Sequence, residues 1–432
     1  MLNRLDLRGV ADPAPLLPRP EVAGDEPLAA VREILADVAA RGDEALFDLT
    51  ERFDGVRPAA LRVPAEEIRA ALAATPPEVV AALELARDRI AEHHRAQLRP
   101  EVVHDTDGVR IRSYLRPVDR VGCYVPGGRA SYPSTLLMAA VPALVAGVPE
   151  VAVCVPPNRD TGAVSTVTLA AAAVAGVEEV YALGGAQAIG ALAYGTASVP
   201  AVDVICGPGN RYVALAQREV SGRVGVAAAF AGPSEVVVIA DGSVPADFAA
   251  VDVILQAEHG PDGLAWLITW DEAVADEVDA AVERLVAEAP RAAEITATLA
   301  SAGHAVLVDS PEAAVAVADL VAPEHLELLC EGAEDLVPRV RNAGAIFVGP
   351  WSPASVGDYL AGPSHVLPTD GTARFASALT VDDFLKHHHV ITVDGAALER
   401  IGPAVATLAD AEGLAAHAES VRLRLAARRD GA

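Results

Sequence analysis

Positive charge, aromatic rings and patterned cysteines are all scarce in this chain of 432 residues. Lysine and arginine number 33 against 60 aspartates and glutamates, a formal net charge of −27. Nucleic acid and anionic membrane surfaces are held by clustered cations, so this balance argues against either as a partner. Aromatic residues make up 4 % of the chain while apolar residues reach 52 %, much of it alanine and valine. That mixture suits helices packed on parallel strands better than a β-sandwich. The four cysteines, Cys123, Cys154, Cys206 and Cys330, show neither CxxC spacing nor a zinc-finger pattern, so the expectation is a reduced, cytoplasmic location. Long apolar runs are missing too. The most apolar stretch, Leu136 to Val148, is broken by Pro142 and Gly147 and is too short to span a bilayer. The basic residues near the N-terminus lead into no uninterrupted apolar segment, so no signal peptide is expected.

What is present is a change of period along the chain. Residues 1–117 read as a helical segment with a small hairpin: helices from Pro27, from Asp43 and from Pro77 to about Gln97, then Asp107-Gly108 between two β-branched runs as a tight-turn signal. From Val121 onward short β-branched runs alternate with helical stretches, the βαβ pattern of a parallel sheet. The pattern restarts after Gly232. The expected fold is therefore α/β: two consecutive incomplete Rossmann-like parallel-sheet units at 118–232 and 233–380, preceded by the helical segment and followed by a helical tail at 381–432. The tail's basic end, Arg422 to Arg429, suits a packing or subunit-contact element.

Glycine-rich turns follow three strands of the first unit: Tyr124-Val125-Pro126-Gly127-Gly128, Gly184-Gly185-Ala186-Gln187 and Cys206-Gly207-Pro208-Gly209-Asn210. Glycine lets backbone N–H groups approach a phosphate at a helix start beyond the carboxyl ends of strands, although no GxGxxG motif is present and ordinary tight turns remain an alternative. In the second unit Gln256 and His259 share one face of an apolar helix that Gly260-Pro261 must end. A histidine there either caps the helix or meets a ligand. Glu324-His325 follows Pro323 at the mouth of a short apolar run, as an adjacent acid and base suited to proton transfer or as a solvated turn. Gln256, His259, Asp358 and His417 form a nitrogen and oxygen donor set compatible with zinc. The run His387-His388-His389 is a poorer candidate, because adjacent side chains diverge on a helix or a strand.

These segments, with Ala231-Gly232-Pro233-Ser234-Glu235, Gly357-Asp358-Tyr359 and Ser364-His365-Val366-Leu367-Pro368-Thr369 in the same order, closely resemble the histidinol dehydrogenase family over nearly the whole chain. The resemblance implies oxidation of L-histidinol to L-histidine through L-histidinal by two hydride transfers to NAD. It implies one Zn2+ per subunit held by Gln256, His259, Asp358 and His417, a catalytic pair in Glu324 and His325, and NAD contacts at Tyr124, Gln187 and Asn210. Substrate would meet Ser234, His325, His365 and Glu412 together with the four metal ligands. It further implies a homodimer in which Glu412 and His417 of the tail complete the partner's site.

Alcohol oxidation needs a base at the hydroxyl, for which His325 is the candidate, and the aldehyde must be hydrated before a second hydride leaves, a task for Glu324. A thiol mechanism at Cys206 or Cys123, a zinc hydrolase and a non-catalytic binding module are the competing classes. Another zinc- and NAD-dependent amino-alcohol or aldehyde dehydrogenase is the nearest alternative.

Overall fold

The computed structural model describes residues 1–18, 27–127, 131–227, 234–258 and 263–429. The chain divides into two compact units, one comprising Met1–Gln97 with Val118–Phe384 and the other Leu98–Pro117 with Leu385–Ala432.

The first unit holds two parallel sheets. Arg120–Tyr124, Glu150–Val155, Glu179–Ala182, Val204–Cys206 and Gly225–Val226 lie in the spatial order third, second, first, fourth, fifth, all parallel. Glu235–Ala240, Leu264–Thr269, Gly303–Leu307, His325–Leu329 and Ala345–Val348 repeat that order in the second sheet, again parallel. This shared topology is what the restarted βαβ pattern implied. It leaves the first and fourth strands adjacent in each sheet, where the connections diverge and a crevice opens.

Both faces of the second sheet are covered, which is why its strands are nearly continuous Val, Ile and Leu. Val236, Val238 and Ala240 face one apolar cluster, and Val237 and Ile239 the other, the two-residue alternation of a strand. The first sheet is backed by helices Leu28–Arg41 and Asp43–Asp54. Their Val31, Leu35, Val38, Leu46 and Leu49 pack with Ile189 and Leu192 of helix Gly185–Tyr194.

Several elements depart from the sequence expectations, helix Ala292–Ala302 and the short strand Gly225–Val226 among them. Asn3–Asp6 is a strand that extends the second sheet beside Gly303–Leu307, so the N-terminal segment is not wholly helical. Helix Ala65–Ala74 joins the three expected between Pro27 and Gln97. The tail opens with a nine-residue strand, Leu385–Val393, because Val390 to Val393 is a β-branched run that pairs antiparallel with Val109–Pro117.

In the second unit that strand, Val109–Pro117 and Val102–Thr106 form an antiparallel sheet, followed by helices Gly395–Ala411 and Ala415–Arg429. Asp107 and Gly108 both take positive φ, 51° and 77°, as a type I′ turn demands. His388 stacks on Tyr114 with ring centroids 5.5 Å apart, and His389 Nδ1 lies 3.0 Å from Ser113 Oγ. Successive imidazoles on a strand point to opposite faces, so the triplet does not converge. Among the described residues no helix is long and apolar enough to cross a membrane.

Candidate active site

At the carboxyl edge of the first sheet, Tyr124 ends the first strand, Gly184 and Gly185 follow the third, and Cys206 to Asn210 follow the fourth. Gly207 has φ +109°, and a Cβ there would collide with the Tyr124 carbonyl oxygen; only glycine fits this close approach. Gly185 N–H donates to Tyr124 Oη at 3.1 Å. The Asn210 side chain caps helix Arg211–Val220, accepting from Tyr212 N at 3.0 Å and Val213 N at 3.2 Å, the role that suits Asn at a helix start. These turns and the N-terminal helices enclose a cavity of about 950 Å³ lined by Tyr124, Gln187, Asn210, Tyr212, Asp54 and Arg159 among others. Gln187 is 1 % exposed, yet neither its Oε1 nor its Nε2 bonds to any described group. A buried amide left unpaired costs roughly 1–3 kcal/mol. Burial pushes the Asp54 carboxyl up to about 6, opposed by Arg159.

The second sheet gathers its polar groups at the amino edge. Helix Pro311–Val321 ends at Ala322, which takes φ +52°; Pro323 prevents helix continuation, and Glu324 enters the strand beginning at His325. Both side chains are buried. Glu324 Oε2 accepts from Glu235 N–H at 3.1 Å and lies 3.8 Å from His325 Nδ1; its carboxyl also bonds the Ser234 side chain. His325 Nδ1 is 3.1 Å from Gln256 Nε2 and 3.3 Å from the Glu235 carbonyl oxygen. Its Nε2 is 3.3 Å from Asp358 Oδ1, close enough for charge attraction although not aligned as a hydrogen bond. His365 adjoins the same place, with Nδ1 2.9 Å from the Asp358 carbonyl oxygen and Nε2 3.1 Å from Thr135 Oγ1. A cavity of about 1090 Å³ borders this cluster, lined by Tyr132, Leu137, Leu255, Glu258, Arg291, Asp358 and Tyr359 among others.

Burial pushes the Glu324 carboxyl up to about 7 despite the opposing pull of His325. For His325 burial favours the neutral ring, but Glu324 and Asp358 outweigh it and the pKa is raised. An acid and a base both brought toward neutrality in a dry site can exchange protons near physiological pH. The thiols are poor nucleophiles by contrast. Cys123 and Cys206 are buried with Sγ atoms 3.6 Å apart, and their mutual hydrogen bond together with burial raises Cys206 well above its usual range, so little reactive thiolate is present.

Of the residues expected from sequence, Ser234, Gln256, Glu324, His325, Asp358 and His365 come together, and Tyr124, Gln187 and Asn210 line one cavity. His259 lies outside the described residues. Glu412 and His417 belong to the second unit, both exposed, at the end of helix Gly395–Ala411 and in the first turn of Ala415–Arg429. Gln256 and Asp358 flank one imidazole and carry oxygens of a type a cation accepts, but among the described residues no group of three or more His, Cys, Asp or Glu side chains is placed to hold a metal ion. Four further polar residues went unnoticed in the sequence: Asp252, Glu327, Glu235 and Thr135. Two had a readable signal. Asp252 stands one helical turn before Gln256, and Glu327 stands two residues after His325, each on the same face as its neighbour.

Two Rossmann-like sheets, one edge carrying glycine turns around an open cavity and another carrying a buried acid, imidazole and amide, define an oxidoreductase. The profile described as histidinol dehydrogenase matches residues 17–425. The histidinol dehydrogenase of Parasynechococcus marenigrum is 50 % identical over 91 % of this chain and 90 % of its own, and that of Rhizobium meliloti is 47 % identical over 98 % of each. The crystal structure of the Elizabethkingia anophelis histidinol dehydrogenase superimposes with a TM-score of 0.94 at 33 % identity, covering 99 % of both chains. The chain belongs to the histidinol dehydrogenase family.

Proposed function

We propose that this chain oxidises L-histidinol to L-histidine through L-histidinal with two equivalents of NAD, the last steps of histidine biosynthesis. The observation that carries the reading is the buried Glu324–His325 pair, with His325 set between Gln256 and Asp358. His325 takes the hydroxyl proton in the first step. Glu324 then takes a proton from water as that water adds to the aldehyde carbonyl, giving the anion of the hydrate, from which the second hydride departs. Keeping both steps in one water-poor site protects the aldehyde from outside amines.

Tyr124, Gln187 and Asn210 are assigned to the dinucleotide on the strength of the cavity they share and the unpaired Gln187 amide. NAD, when bound, supplies the hydride acceptor. Gln256, His259, Asp358 and His417 are assigned to one Zn2+ per subunit, which when bound anchors the substrate's imidazole and amino nitrogens and polarises the alcohol secondarily. Ser234, through its bond to Glu324, and His365, through Asp358, are assigned to substrate orientation.

Glu412 and His417 are assigned to the site of a partner subunit in a homodimer. The second unit exposes Ile391, Leu408 and Leu423, at 66 %, 66 % and 60 %, apolar surface that a second copy would cover. We assign it to the cytoplasm, a location with which four buried cysteines free of disulfides are compatible.

Purified protein given histidinol and NAD should form two NADH per histidine and none without NAD. Release of histidinal after a single NADH, or turnover without NAD, would overturn the reading.

A further inference from the structure

Beneath the candidate site lies a buried pair of carboxyl groups that the reaction steps do not use. Glu327 is 0 % exposed and Asp252 nearly as enclosed. Glu327 Oε1 accepts from Ala354 N–H at 3.0 Å, while Oε2 is sealed from solvent and receives no described amide or hydroxyl. The side chain that bonds Glu327 is Asp252. Two carboxyls form a hydrogen bond only by sharing a proton, and two adjacent buried negative charges are prohibitively costly.

The placement gives the pair its role. Asp252 precedes Gln256 by one turn on helix Ala246–Ala257. Glu327 shares its strand face with His325, and through Ala354 it holds the first residue of helix Ala354–Tyr359, which carries Asp358. One hydrogen-bonded pair therefore ties together the three elements that present Gln256, His325 and Asp358.

We propose that Asp252 and Glu327 are positioning residues that share one proton and hold Gln256 and Asp358 at the spacing a bound cation requires, leaving a single negative charge beneath it. This rests on the assignment of Gln256 and Asp358 as metal ligands. Supporting groups of this kind typically alter metal affinity 10–100-fold.

The test is zinc affinity of the full-length protein, measured by chelator competition at neutral pH with zinc as the only added ligand. Glu327→Ala should weaken zinc about tenfold or more and raise the KM for histidinol. Glu327→Gln and Asp252→Asn each keep a donor, an acceptor and one charge, so each should retain most of the affinity. The double variant Asp252→Asn with Glu327→Gln keeps the hydrogen bond but loses the charge, and should bind zinc more weakly than either single variant while melting at a similar temperature without metal. The amide variants carry the test if Glu327→Ala does not fold. Wild-type affinity in the double variant, or a loss in either single amide variant as large as in the double, would overturn the shared-proton pair. Failure of the unaltered protein to bind stoichiometric zinc would instead overturn the ligand assignment.

Discussion

The two parallel sheets share one strand order but use opposite edges. In the first sheet the turns after the strands meet the start of helices Gly185–Tyr194 and Arg211–Val220, so the cavity faces the positive ends of two helix dipoles. That environment suits the phosphates of a dinucleotide. In the second sheet the polar groups collect where strands begin, and Gln256 stands in the last turn of its helix, Ala246–Ala257. A helix C-terminus carries the negative end of the dipole and favours a cation. Similar topology thus offers two electrostatically opposite sockets, and which one a sheet uses depends on whether its glycines or its acids and imidazoles lie at the edge.

The largest break in this comparison is expected at the second sheet. His325→Ala should slow both half-reactions by ~10²–10⁴-fold, the usual cost of a lost general base. Glu324→Gln should slow oxidation of added histidinal far more than the first hydride transfer, and the unaltered rate of that second step should rise as pH passes through about 7, where Glu324 ionises. Single-turnover assays with each substrate decide the matter; equal losses in both steps of Glu324→Gln would remove its specific role.

A change at the first sheet should leave the other socket intact. Gly207→Ala forces a Cβ against the Tyr124 carbonyl and should raise the KM for NAD about tenfold or more, since ~1.4 kcal/mol of lost binding already gives that factor. Zinc content should be unchanged, and a loss of zinc would show that the two edges are not independent. Asn210→Ala, which removes the cap of helix Arg211–Val220, should cost ~1 kcal/mol of stability and weaken NAD, measured by thermal melting and NAD titration.

The smallest effect is a slope in stability with pH. Burial and the neighbouring Asp252 hold the Glu327 carboxyl well above its ordinary 4.5, so the folded state holds that proton more tightly than the unfolded one. Its stabilising contribution is full below 4.5 and is lost as pH rises through the folded value. Melting temperatures of the metal-free protein should decline across that window, and Glu327→Gln should flatten the decline.

The tight turn at Asp107-Gly108, the alternating strands and helices from Val121, and the helix from Pro77 to Gln97 were legible because each rests on local period or turn chemistry. Strand Asn3–Asp6 was not, since four residues gain strand geometry only from pairing with Gly303–Leu307, some 300 residues away. Leu385–Val393 was hidden by the helix-forming residues that follow it. At the site, Glu324-His325 and Gln256 stood out as motifs, whereas Asp252 and Glu327 read as ordinary acids until packing placed them together.

The sequence by itself determined the α/β class, the restart that makes two sheets and the family, because periodicity and contiguous motifs are carried by neighbouring residues. Only the tertiary structure decided that the sockets occupy opposite sheet edges and that His325 lies between Gln256 and Asp358. It also decided that Glu324 is dry enough to titrate near neutrality. Desolvation and the field of neighbouring charges depend on groups distant in sequence, and no local pattern encodes them.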